Sequence, residues 1–205
     1  NYRAAAKSAF EFGADGLQLY NFHYHWRADK GREADWPDVL YQMAQVRDLA
    51  LINPHERIYL FHPMWSGHRE GVGPSGVHRD IRLILPPGDL TPRQLDLRLA
   101  ENPAESRLRI VLKLKATGLA PRDNLRVLFN DAELPIEPDH RRWVPEGQGA
   151  REGRVLPPHD LFQIPLQAHQ LRRGDNRLSV ARIETTGTSE VVVQEFEVHV
   201  TPPAP

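Results

Sequence analysis

From Val77 to the C-terminus apolar residues fall at every second position, and that period restricts this part of the chain to β-structure. Ile81, Leu83 and Leu85 alternate with Arg82 and Ile84, and Leu95, Leu97 and Leu99 with Asp96 and Arg98. Leu108, Ile110, Leu112 and Leu114 alternate with Arg109, Val111, Lys113 and Lys115. Further runs cover 124–129, 160–166, 177–183 and 190–200; in the last, Val191, Val193, Glu195 and Glu197 oppose Val192, Phe196 and Val198. Several short strands separated by turn signals predict an antiparallel β-sandwich over 77–200. Asn130-Asp131 suits a tight turn between two of them. Residues 137–159, rich in Pro, Gly and charge, read as a long loop, and 201–205 as a frayed tail.

The N-terminal third has a different period. Ala5, Ala6, Ala9 and Phe10 share a helical spacing, so 2–12 is expected to be a helix stopped by Gly13. Gly13-Ala14-Asp15-Gly16 then leads into an apolar run, 16–22, that reads as a buried strand. Leu17 and Leu19 fall on one face; Gln18, Tyr20 and Phe22 fall on the other, and Tyr24 and Trp26 continue that series. Residues 27–36 read as a loop. A second helix is expected from Asp35 as N-cap and Pro37 in the first turn, through Val39, Leu40, Met43, Val46, Leu49, Ala50 and Ile52. Asn53-Pro54 ends it, and Arg57 to Phe61 is a short extended segment. A helix–strand–helix unit cannot bury a parallel strand on both faces by itself. Residues 1–65 are therefore expected to be the tail of a larger α/β domain, 66–76 a Gly- and Pro-rich connection, and 77–200 a separate module. With no initiator Met or signal peptide, a chain opening Asn1-Tyr2-Arg3 inside a helical pattern is expected to be a trimmed piece of a longer protein.

Composition narrows the function classes. A formal net charge of −1 argues against a broad nucleic-acid or anionic-membrane surface. No run approaches the roughly 18 apolar residues of a membrane span. The absence of cysteine excludes disulfides, thiolate catalysis and zinc–thiolate sites.

The stretch Ala4-Ala5-Ala6-Lys7 followed by Gly13-Ala14-Asp15-Gly16-Leu17-Gln18-Leu19-Tyr20-Asn21-Phe22 resembles the last barrel strand of family-10-like glycoside hydrolases, which are (β/α)8 proteins. The helix Val39 to Ile52 and the segment Arg57-Ile58-Tyr59 resemble the closing helix and exit strand of the same proteins. Leu171-Arg172-Arg173-Gly174-Asp175-Asn176-Arg177-Leu178-Ser179-Val180 is similar to the Leu-x-x-Gly-x-Asn-x-Leu-x-Val pattern of jelly-roll, galactose-binding-like sandwiches. In that pattern Gly and Asn shape a turn and the alternating Leu and Val feed the core. The resemblance implies a mixed fold, the terminal (β/α) unit of a TIM-type barrel followed by an antiparallel β-sandwich. It implies a parent that hydrolyses glycosidic bonds, in a secreted or periplasmic setting. Its two carboxylates would follow earlier strands that this chain lacks, so the chain alone is expected to be inactive. The expected partners are a carbohydrate and the rest of the barrel polypeptide, with no nucleic acid, no membrane and no cofactor.

Candidate ligand contacts follow from residue type. Aromatic faces at the C-terminal mouth of a barrel can stack on a sugar ring, which singles out Tyr24 and Trp26, with Asn21 beside them; Tyr20 and Phe22 suit the barrel interior. Trp143, next to His140, Arg141 and Arg142, suits either an exposed ligand-binding aromatic or an anchor pinning its loop to the sandwich. His23 and His25 have strand spacing for a metal but no third ligand of readable spacing, so no metal is expected. His62, His68 and His78 suit interdomain polar contacts, and Asp29, Glu33, Asp35 and Asp38 suit capping and solvation. The sandwich could support the barrel, bind carbohydrate or protein itself, or serve as a purely structural interaction domain.

Overall fold

The computed structural model describes residues 2–17, 36–61, 82–104, 107–146, 157–184 and 187–203. Among them the chain forms three helices, α1 (Tyr2–Glu11), α2 (Trp36–Gln45) and α3 (Leu49–Ile52), and ten strands. The strands are β1 (Arg57–Phe61), β2 (Leu83–Leu85), β3 (Arg93–Leu99), β4 (Arg109–Thr117), β5 (Asn124–Phe129), β6 (Ala132–Leu134), β7 (Arg141–Val144), β8 (His159–Leu166), β9 (Gly174–Glu184) and β10 (Val191–Thr201).

The strands make a two-sheet β-sandwich. One sheet runs β1-β10-β4-β8-β7, with β2 also on β10; the other runs β3-β9-β5-β6. β1 pairs with Phe196–Val200 and β2 with Val191–Val193, so these two short strands follow one another along one edge of β10. The core is the product of alternation. Ile110, Leu112, Leu114, Phe162 and Ile164 from the first sheet meet Leu97, Leu99, Val127, Phe129, Leu178 and Val180 from the second, all buried.

On β10 the alternation changes phase. Val191 and Val193 point inward, and so do Phe196, Val198 and Val200, which no single period of two permits. Glu195, at φ +54°, is the extra residue: Gln194 pairs with Lys115 and Glu197 with Lys113, so two residues of β10 face one of β4. The bulge swings Glu195 out to pair with Lys115 and returns the apolar series to the core. An unbroken alternation through 190–200, as expected from sequence, is corrected on this point.

Turn chemistry matches its sequence. Asn130 (φ +50°) and Asp131 (φ +69°) form the two-residue turn between β5 and β6, with the left-handed pair that a right-twisted hairpin requires. Gly174 (φ +100°) opens β9, and the buried Asn176 behind it saturates its side-chain amide. Its Nδ2 donates to the carbonyls of Arg172 (2.7 Å) and Gly174 (2.9 Å), and its Oδ1 accepts from Arg172 N (2.7 Å) and Asn130 Nδ2 (2.8 Å). With Leu178 and Val180 in the core, this motif shapes a turn and feeds the interior.

The N-terminal helices pack against this sandwich. α1 ends in a Schellman motif: Ala14 N donates to Ala9 O (2.9 Å), Gly13 N to Phe10 O (3.1 Å), and Gly13 takes φ +99°. The helix expected to run unbroken to Ile52 is interrupted after Gln45, because Asp48 N-caps a new turn by accepting from Ala50 N at 2.8 Å. Ala6, Val46 and Ile52 make a small helical core, while Ala4 joins the sandwich core beside Tyr59.

A buried charge cluster joins the two layers. Arg57 holds Glu101 bidentately, Nε to Oε1 at 2.7 Å and Nη2 to Oε2 at 2.9 Å. Tyr59 Oη donates to the same Oε1 at 2.7 Å, and Lys7 of α1 approaches Oε2 at 3.9 Å while donating to Asn53 Oδ1 at 2.6 Å. The segment expected to be a barrel exit strand is thus β1, hydrogen-bonded to β10. Every pairing among the described residues is antiparallel, and no (β/α) barrel unit is seen among them. The strand expected over 16–22 lies outside the described residues from residue 18 onward.

Burial, reinforced by the charge and hydrogen bond of Glu101, raises the Tyr59 hydroxyl pKa well above its ordinary 10.0. An unfolded tyrosine ionises first, so above about pH 10 the unfolded state holds fewer protons and stability falls as pH rises. Tyr59→Phe should cost roughly 1.5–3 kcal/mol at neutral pH, since it strips a donor from a buried carboxylate. It should also flatten the alkaline decline in urea midpoints; an unchanged decline would place its origin elsewhere.

Candidate functional site

Two strands carry, and a third is preceded by, a charged residue one step beyond the inward apolar series. β8 reads Asp160, Phe162, Ile164, Leu166; β9 reads Leu178, Val180, Arg182; and Asp123 immediately precedes β5. All three charges are buried at one end of the sandwich, opposite the Arg57–Glu101 end. Two arginines organise them. Arg182 Nη2 donates to Asp123 Oδ2 at 2.7 Å, with both side chains fully buried, and its Nη1 donates to Ser189 O at 2.9 Å. Arg141 Nε donates to Asp160 Oδ1 at 2.8 Å, while its Nη1 reaches across to Asp123 O at 2.6 Å. Arg141 belongs to the first sheet and Asp123 leads into the second, so these bonds tie the sheets together where the sandwich would otherwise gape.

An open cleft of about 630 Å³ lies over this network. Leu119, Pro121, Arg122 and Asn124 line one wall, and Ile136, Glu137 and Pro138 another; Arg141, Trp143 and Asp160 come from β7 and β8. Register explains the arrangement. Trp143 faces Asp160 and Arg141 faces Phe162, so both β7 side chains point to the inner face of their sheet, at its edge. The Arg141 guanidinium sits 5.8 Å from the centroid of the Phe162 ring. Trp143 remains 58% exposed, which removes the expectation that it pins a loop to the sandwich. Oδ2 of Asp160 is buried without a hydrogen-bond partner among the described residues, as is Nε of Arg182.

The wall 119–123 is held by Gly118. At φ +84° it turns the chain out of β4, and a Cβ there would meet Glu190 O at 2.1 Å. On the other side Glu137 N donates to His140 Nδ1 at 3.1 Å, tightening the turn that leads into β7. Residues 137–159, expected as one long loop, therefore contain a strand. The missed signal is weak, because an edge strand reading Arg-Arg-Trp-Val lacks apolar alternation.

Of the residues singled out from sequence, Trp143 lies in the cleft with its neighbour Arg141, while Arg142 sits on the opposite face of β7. Asn21, Tyr24 and Trp26 lie outside the described residues, as do His23, His25, His62, His68 and His78. Sequence reasoning missed Asp123, Asp160 and Arg182; their signal is a charge at the inward phase of an apolar alternation. Among the described residues no group of three or more acidic or histidine side chains is placed to hold a metal. The arrangement offers one flat aromatic face, an apolar wall and fixed hydrogen-bonding groups, a composition suited to orienting a small polar ligand. No protein-family model matches the chain, and no curated protein matches it.

Asp123→Ala would leave the buried Arg182 guanidinium without its carboxylate. The expected loss is about 3–5 kcal/mol in urea unfolding. A loss under about 1 kcal/mol would show that the pair does not hold this end of the sandwich.

Proposed function

We propose that the sandwich is a non-catalytic carbohydrate-binding module whose sugar site is the Trp143 cleft. One observation carries this: a Trp more than half exposed, held on a strand that is itself braced by a buried arginine network. Indole presents a broad flat apolar face at low entropic cost, matched to the axial C–H face of a pyranose. Around it the cleft supplies donors from Arg141 and Asn124 and acceptors from Glu137, the groups that hydroxyls require. The cleft carboxylates Asp123 and Asp160 are each committed to an arginine, an arrangement for holding rather than for proton transfer.

A second reading places the chain as the C-terminal segment of a glycoside hydrolase, with the sandwich supporting a barrel that cleaves glycosidic bonds. The exposed Leu40 and Tyr41 on α2 and Leu51 on α3 favour it, as an apolar helical face that further polypeptide would cover. In that setting Asn21, Tyr24 and Trp26 are substrate-side contacts of the barrel, and the module holds glycan close to it.

Titration of the whole 205-residue chain with neutral oligosaccharides tests the binding role. Saturable binding is expected, and Trp143→Ala should weaken it about 10- to 100-fold, the range for losing an aromatic anchor. The exposed position predicts a thermal midpoint close to the parent's. Failure of the parent chain to bind any such sugar, or equal binding by the variant, would remove the cleft as the site.

A further inference from the structure

We infer that the cleft selects neutral, hydroxyl-rich sugars over uronic or sulfated ones, an inference that rests on the sugar-binding role proposed above. Anionic glycans are gripped by arginines with charge to spare, and here the arginine charge is already matched. Arg141 is neutralised by Asp160 at 2.8 Å and Arg182 by Asp123 at 2.7 Å. What remains on the lining, among the described residues, is one exposed cation, Arg122, and one exposed anion, Glu137.

Hydrogen-bond accounting agrees. A guanidinium has five N–H groups. Arg141 commits three of them, to Asp160 Oδ1, to Asp123 O and, at 3.4 Å, to Ala120 O. The two left over offer donors to hydroxyl or ring oxygens. A ligand carboxylate seeking the same guanidinium would have to compete with Asp160 and approach Glu137 as well, with no unmatched lining cation among the described residues to offset the repulsion beyond Arg122. A neutral ring stacked on Trp143 meets none of that opposition, and Ile136 and Pro138 give its apolar edge a wall.

The test compares neutral oligosaccharides with an anionic one. The whole chain is titrated with neutral gluco-, galacto- and manno-oligosaccharides and with an oligogalacturonate of matched length, at low and high salt. At least one neutral series should bind about tenfold tighter than the uronate, with little dependence on salt, because no net charge is neutralised on binding. Glu137→Gln should raise the ratio of uronate to neutral-sugar affinity about threefold; Arg122→Gln should lower uronate affinity further. Equal or tighter, salt-sensitive uronate binding would overturn the neutral selectivity and leave the sugar site standing. Binding of neither series would overturn both.

Discussion

Both ends of this sandwich are closed by an arginine and a carboxylate taken out of water together, and the remaining architecture depends on those closures. Alternation can fill the middle of a sandwich with apolar side chains, but at the ends strands give way to loops and polar backbone must enter. Arg182 with Asp123 at one end and Arg57 with Glu101 at the other satisfy that demand. Each guanidinium also donates to backbone carbonyls: Arg57 to Asn53 and His55 (both 2.7 Å), Arg182 to Ser189. An apolar pair of the same volume could fill the space. It could not hold the loops, and removing one partner leaves a stranded charge.

The two closures have different consequences. At the Arg57 end the cluster recruits Lys7 and Tyr59, so the helical layer is keyed to the sheet by polar contacts as well as by Ala4. Arg173 pairing with Glu11, and Arg98 stacking 4.0 Å over Phe12, extend the same docking along α1. At the Arg182 end no helix among the described residues covers the network. Arg141 bridges the sheets there, and the short edge strand that carries it overhangs the opening with Trp143. A hydrogen-bonded floor thus lies beneath an exposed aromatic side chain.

Much of the sandwich was legible from the chain. The strand segments read from alternation at 95–99, 108–115, 124–129, 160–166 and 177–183 coincide with β3, β4, β5, β8 and β9 within a few residues. The Asn130-Asp131 turn and the Gly13 helix stop followed from backbone conformations that few residues adopt. The candidate site was legible only through Trp143. Asp160 and Arg182 look like ordinary surface charges until the phase of the neighbouring Phe162 and Val180 shows that they face inward. Their partners lie 19 and 59 residues away in sequence, beyond any local pattern. The bulge at Glu195 was hidden for a related reason, since it appears only once β4 supplies a register to break.

The sequence by itself determined the strands whose apolar residues alternate, where the tight turns fall and, except across the β10 bulge, which face of those strands is apolar, because these follow from local sterics and from a side-chain period of two. Tertiary structure alone decided that β1 joins the sandwich sheet, that Arg141 reaches Asp123 across the gap and that Trp143 stands over a cleft. Those outcomes depend on which strands become neighbours, and strand partnership is set by the sum of burial and buried charge pairing over the whole chain, which no short window of residues contains.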